Sequence, residues 1–143
     1  MNVAFFLTPK NDVSFLYTDA TLRQGLERLK RVGYTAIPVL DRNGKYMGMI
    51  REGDFLWYIV EQTEGVGLHD LENVRISDIL KPDSMPPEPI TVSIEKIVER
   101  AIRQNFVPIV DGSGIFIGIV TRGKVMQYLN GEIAKNAFAA MPD

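Results

Sequence analysis

Cysteine is absent from the sequence, and histidine occurs once, at His69. Without thiols there are no disulfides, no thiolate nucleophiles and no Cys-based zinc sites. That absence also fits a reducing compartment. A single histidine with no metal-ligand spacing around it supplies neither a nucleophile–base pair nor a metal cluster, so no enzymatic activity is expected. His69 falls in a polar stretch and reads as a linker residue. Long apolar runs are missing as well: none approaches the roughly 20 residues that span a bilayer. The apolar patch Val3 to Leu7 lacks a preceding basic segment and does not read as a secretory signal. Charge of one sign is not in excess either. A net charge of −2 leaves no global field to draw the chain onto nucleic acid or an anionic membrane. The expected location is the cytoplasm.

What is present is the composition of an ordinary globular protein, 45% hydrophobic and 24% charged over 143 residues. That length fits one compact domain, or two small halves sharing a core. The chain repeats itself. Thr21 to Arg28 and Ser93 to Arg100 each open with a hydroxyl residue suited to N-capping and continue with apolar residues at helical spacing. Ile37-Pro38-Val39-Leu40-Asp41 and Val107-Pro108-Ile109-Val110-Asp111 are short apolar runs ending at an acidic turn with Gly44 or Gly114. Tyr46 to Ile50 matches Phe116 to Val120, a second strand, and helical stretches follow at Asp54 to Glu61 and Lys124 to Leu129. Strand, helix, strand, strand, helix therefore occurs twice. The helices lie 72 positions apart and the strands 70, so the second copy lacks two residues, assigned to the start of its first hairpin strand, opposite Thr35-Ala36. This predicts a shortened strand. Residues 1–62 form the first repeat, 63–75 a connector and 76–143 the second repeat with a helical tail.

Gly33-Tyr34-Thr35-Ala36-Ile37-Pro38-Val39-Leu40-Asp41 followed by Gly48 to Asp54 resembles the cystathionine-β-synthase (CBS) domain. So does Phe106 to Asp111 followed by Gly118 to Lys124. The resemblance covers nearly the whole chain, in tandem. It implies an α/β (α+β) fold of two pseudo-symmetric βαββα repeats packed as one disc-like module, a Bateman module of the free-standing bacterial type. It also implies adenosine-containing ligands in two clefts between the repeats, no catalysis by the module itself, no required cofactor, a homodimer and a regulated protein partner. Helices such as Phe55 to Val60 and Val125 to Leu129 would make the dimer contact.

In the family, adenine lies against the first strand and the Ala-x-Pro strand of one repeat, and a Thr/Ser-x-x-Asp turn of the other repeat reaches the ribose and phosphate. Carried over, the first cleft comprises Ser14, Leu16, Thr18, Tyr34, Thr35, Ala36, Ile37 and Pro38, with Thr121, Arg122 and Lys124 from across the axis. Lys124 replaces the family's aspartate, which favours a ligand with exposed phosphate over a plain ribose-diol contact. The second cleft comprises Ile90, Thr91, Phe106, Val107 and Pro108, with Arg51 and Asp54. Its aspartate is intact, its hydroxyl position is Arg51, and it is the weaker candidate.

The resemblance leaves three readings open: an AMP-, ADP- or ATP-type regulatory ligand, cyclic di-AMP, or a structural adaptor without ligand. The Gly33 to Asp41 run with Thr121-Arg122 is similar to free-standing cyclic di-AMP receptors, where Arg122 would hold a phosphodiester, although Asp12 sits where a basic partner is wanted. Plainer roles exist for several of these residues. Thr121 and Asp54 stand at helix starts, where such side chains cap, and Asp41 and Asp111 suit glycine-containing turns. Trp57 and Tyr58 are expected to pack between halves or subunits.

Overall fold

The computed structural model describes residues 2–61, 68–81 and 83–140. After a 3-10 turn at Val3–Phe6 comes β1 (Leu7–Pro9). The first repeat is β2 (Leu16–Tyr17), α1 (Leu22–Val32), β3 (Ala36–Leu40), β4 (Tyr46–Arg51) and α2 (Glu52–Glu61). Short helices α3 (Leu68–Asn73) and α4 (Ile76–Ile79) follow. The second repeat is β5 (Glu88–Pro89), α5 (Ile94–Arg103), β6 (Phe106–Val110), β7 (Phe116–Thr121) and α6 (Arg122–Ala140). The order read from the sequence is the order observed, and the fold is the expected pair of βαββα repeats. The Asn130 to Ala140 tail continues α6 without a break. Residues 63–67 of the expected connector lie outside the described residues, as does the His69 side chain, and α3 occupies 68–73 of the remainder.

Local chemistry explains the boundaries. Thr21 caps α1 by accepting the Gln24 N–H, while the Gln24 side chain accepts the Thr21 N–H, a reciprocal capping box. Ser93 caps α5 by accepting from Lys96. Both hairpins turn on an aspartate. Asp41 Oδ1 accepts from the backbone of Asn43 and Lys45 at 2.9 Å each, and Asp111 Oδ1 from Ser113 and Ile115 at 2.8 and 3.0 Å. These contacts account for both aspartates as turn formers.

The sheets are β2-β3-β4 and β1-β7-β6-β5, with β2–β3 and β5–β6 parallel and the other pairs antiparallel. Each repeat borrows from the segment that precedes the other. β1 adds to β7 of the second repeat, with Pro9 opposite Gly118, and Val3 is buried in that repeat's core. Conversely, α4 buries Ile76 in the first repeat's core, and the Ser84 hydroxyl accepts the Met49 N–H on the outer edge of β4. This exchange ties the two halves together through backbone as well as side chains.

Between the sheets lies a third core, with Leu40, Met49 and Phe116 fully buried. Each such side chain contributes roughly 1.5–3 kcal/mol relative to exposure. Tyr46 and Phe116, equivalent across the pseudo-two-fold axis, stack with centroids 6.0 Å apart. Tyr46 N–H donates to Gly114 O and Phe116 N–H to Gly44 O, a reciprocal pair that marks the axis.

One expectation is corrected. β6 is not shortened: it has five residues, as β3 has, and the two hairpins pair in the same register, Ala36 with Arg51 and Phe106 with Thr121. The two missing residues come from the helix end. α1 closes on Gly33 in the left-handed conformation (φ 71°) and continues through Tyr34, whereas α5 closes on extended Gln104 and enters β6 after Asn105 alone. Asn105 is therefore the counterpart of Thr35: its carbonyl accepts from Arg122 as that of Thr35 accepts from Glu52.

Candidate functional site

β3 and β6 are central strands that carry proline. Proline lacks an N–H and is tolerated only where a strand edge is uncovered. The geometry supplies that edge. β2 reaches only Val39 and Leu40 of β3, and β5 only Ile109 and Val110 of β6. Met49 turns its N–H away from β3 to the Ser84 hydroxyl, so Ala36 and Pro38 direct their backbone groups away from β4. Ala36 lies beyond the reach of β2. A backbone edge beside a residue with almost no side chain results, and a cavity opens there.

That first cavity, about 370 Å³, is lined by Val13, Gly33, Tyr34, Thr35, Ala36 and Pro38 from one side and Asn105, Phe106, Ile119 and Thr121 from the other. It lies within the range of roughly 300–1,000 Å³ typical of small-molecule sites. Tyr34 is 45% exposed at its rim, unusual for a large ring with no packing role in the core. Thr121 Oγ1 accepts the Lys124 N–H at 3.3 Å and caps α6. A flat apolar slot with a strand edge, a threonine pair and an asparagine amide fits a planar heterocycle bearing polar edges.

The second cavity, about 390 Å³, is its pseudo-symmetric counterpart and shares Thr35, Ala36, Asn105 and Phe106 with it. Here the matching edge is occupied. The Phe106 ring stands where Ala36 stands in the first copy, Gln104 Nε2 donates to the Phe106 carbonyl at 2.8 Å, and Met85 takes the place of Val13. The remaining lining is cationic: Arg51, Arg103 and Arg122, against Glu52. Arg122 is oriented by its Nε bond to the Ala101 carbonyl, 2.7 Å. One cavity is shaped for a ring, the other is charged for an anion, and they touch.

Of the residues expected in the first cleft, Tyr34, Thr35, Ala36, Pro38 and Thr121 come together there. Ser14 and Thr18 do not line it; Thr18 instead ties its backbone to Leu40 and Ser77. Leu16 and Ile37 are buried in the first repeat's core. Arg122 faces the second cavity, and the Lys124 side chain lines neither. Of the second set, Arg51 and Phe106 line the second cavity. Asp54 accepts the Arg51 N–H at 2.8 Å and lies 3.8 Å from Lys81 Nζ, so it caps α2. Val107 is fully buried, Ile90 packs against the second repeat's core, and Thr91 and Pro108 line neither cavity. The missed residues, Val13, Gly33, Asn105 and Ile119, were legible in part: the 70-residue offset pairs Asn105 with Thr35 and Ile119 with Met49. Among the described residues no three His, Asp or Glu side chains gather as a metal would need, and no helix is long and apolar enough to cross a membrane.

Comparison with known proteins agrees with this architecture. The chain is 28% identical to the cyclic di-AMP receptor B of Bacillus subtilis, over 92% of this chain and 88% of that one. It is 26% identical to the chloroplastic CBS domain-containing protein CBSX1 of Arabidopsis thaliana, over 87% of this chain but only 62% of that longer protein. The crystal structure of the CbpB protein of Listeria monocytogenes in complex with c-di-AMP superposes with a TM-score of 0.80 at 28% identity, covering 92% of this chain and 97% of that one. Residues 7–61 and 76–131 each match the CBS domain, so the chain belongs to the CBS-domain family and carries the domain twice.

Proposed function

We propose that the chain is a non-catalytic regulatory module that binds an adenine nucleotide between its repeats and signals its occupancy to a protein partner. The observation that carries this reading is the pairing of the two touching cavities. The Ala36 edge with Tyr34, Pro38 and Thr121 would take the base. Arg51, Arg103 and Arg122 in the adjoining cavity would take the phosphate. Within this class, cyclic di-AMP is favoured by a specific substitution. The family's ribose-binding aspartate is Lys124 here, and the 3′–5′ linkages of a cyclic dinucleotide leave no vicinal diol for an aspartate to hold. The two relatives above that are named for cyclic di-AMP, or bound to it, support the same choice.

A second copy of the chain is expected to cover α2, which exposes Leu56, Trp57, Ile59 and Val60, together with Met126 of α6. Thermal unfolding in the presence of cyclic di-AMP, AMP, ADP and ATP tests the reading. A ligand at about 100 times its dissociation constant adds about 2.7 kcal/mol, a rise of several degrees. Tyr34→Ala should lose most of that rise without lowering the unliganded midpoint. A flat response to all four nucleotides would instead leave a structural adaptor.

A further inference from the structure

A wider groove, about 700 Å³, lies on the first repeat and shares no residue with either cavity. Its walls carry Arg28, Arg31, Arg42 and Arg75 around Phe15 and Tyr17. Four guanidiniums face two carboxylates there, Asp19 and Glu27, in a chain whose net charge is −2. Three of the arginines are held in place. Arg42 lies over the Tyr17 ring, 4.0 Å from its centroid, and bonds both oxygens of Asp19 at 2.9 and 3.0 Å. Arg75 donates to the Asp19 carbonyl at 3.0 Å and Arg28 to the Phe15 carbonyl at 3.4 Å. Arg31 is exposed and has no hydrogen-bond or ion-pair partner among the described residues.

The fold does not demand this set of arginines, because the second repeat keeps only two of the four at the equivalent groove. The equivalent groove, about 340 Å³, keeps Arg100 and Arg103 in place of Arg28 and Arg31. There Glu88 replaces Leu16 and pairs with Arg100 at 3.2 Å, the two side chains only 16% and 13% exposed. Gly112 and Pro89 replace Arg42 and Tyr17, so that cation and that ring are absent, while Lys96 stands in place of Gln24. The second groove sets Lys96, Arg100 and Arg103 against Glu88 and Glu99 in about half the volume, whereas the first sets four arginines against Asp19 and Glu27.

We propose that the first groove docks an acidic, aromatic-bearing segment of a partner protein. Its cations fall in two groups, Arg28 and Arg31 on α1 and Arg42 with Arg75 at Asp19, which suits a chain of carboxylates better than a single phosphate. Neither helix start beside it offers a phosphate seat, because the Thr21–Gln24 capping box uses that end of α1 and the Asp78 carboxylate takes the Arg75 N–H at the start of the four-residue α4. Phe15 and Tyr17, edge to face at 5.5 Å, give an apolar floor for an aromatic side chain between the charges.

The test is fluorescence anisotropy on the full chain without nucleotide, so its outcome is independent of the clefts. The probe is a labelled peptide of Glu-Glu-Phe repeats, with Lys-Lys-Phe repeats as control. The acidic peptide should bind and the basic one should not. Arg28→Glu with Arg31→Glu should weaken binding by about tenfold or more. Arg31→Glu alone, which breaks no internal contact, should weaken it several-fold, and Lys96→Glu in the second groove should leave it unchanged. Absence of binding, equal binding of both peptides, equal loss on Lys96→Glu, or displacement by inorganic phosphate at the peptide's own concentration would each overturn the assignment.

Discussion

Ala36 and Phe106 occupy the same position in two copies of one fold, and most of the difference between the two clefts follows from that pair. Where the residue is alanine, the strand edge stays open and a cavity forms beside it. Where it is phenylalanine, the ring packs against the core between the sheets and its carbonyl is taken by Gln104. The helix ends diverge with it: Gly33 and Tyr34 exist only in the first copy, and they add the left-handed turn and the exposed ring that frame the open cleft. A tandem repeat can thus divide its labour with few changes. One cleft keeps an open apolar cavity, and the other is filled by packing and lined by cations.

The comparison can be broken most severely where each repeat is crossed by the segment from the other. At Gly118 (φ 156°) an added Cβ would lie 2.2 Å from the Thr8 carbonyl oxygen, backbone that cannot yield unless β1 leaves the sheet. At Gly48 (φ 144°) the nearest atom is the Ser84 hydroxyl at 2.8 Å, a side chain that can rotate. Gly118→Ala should therefore cost about 3 kcal/mol or more in denaturant unfolding, and Gly48→Ala about half as much.

Next in size is the exchange of the cleft residues themselves. Ala36→Phe gives the first cleft the second's plug and should lower nucleotide affinity by about 100-fold, equivalent to about 2.7 kcal/mol, in a direct binding assay. The reverse change, Phe106→Ala, removes a partly buried ring and should cost about 2 kcal/mol of stability. It should also enlarge the second cleft enough for nucleotide stoichiometry to rise in calorimetry.

The smallest effect separates Tyr46 from its counterpart Phe116. Burial pushes the Tyr46 phenol up, and its hydroxyl donates to the Met85 carbonyl at 2.7 Å. Because the folded chain holds the neutral phenol more firmly than the unfolded chain, this contribution is intact below about pH 10 and declines as pH rises above it. Tyr46→Phe should cost about 1 kcal/mol at neutral pH and flatten the alkaline loss of stability, as urea titrations at several pH values would show.

Much of the fold was legible because the repeat was. Two copies of one apolar pattern, each with a hydroxyl cap and an aspartate turn, specify the same elements twice. The position of the two missing residues was not legible. Counting from Thr21 and Ser93 locates a gap, but only strand register distinguishes a shortened strand from a shortened helix cap. The lining of the first cavity was legible only in part. Tyr34, Thr35, Ala36, Pro38 and Thr121 are brought together because strand order and the repeat axis place them so. The directions of Ile37 and Val107 depend on which strand face meets a core, and a strand buried on both faces carries no alternation to reveal it; Leu16 lies on a two-residue strand too short to show any. Arg122 was read toward the first cleft, whereas its bond to the Ala101 carbonyl, a contact across 21 positions, turns it to the second.

The most direct test of the central claim is isothermal titration of the chain with cyclic di-AMP, alongside the Ala36→Phe variant. The expected result is one saturable site per chain in the parent and affinity weaker by about 100-fold in the variant, with the variant's folded circular dichroism retained. Binding unaffected by Ala36→Phe would place the ligand elsewhere, and the absence of heat from cyclic di-AMP, AMP, ADP and ATP alike would contradict nucleotide recognition by this module.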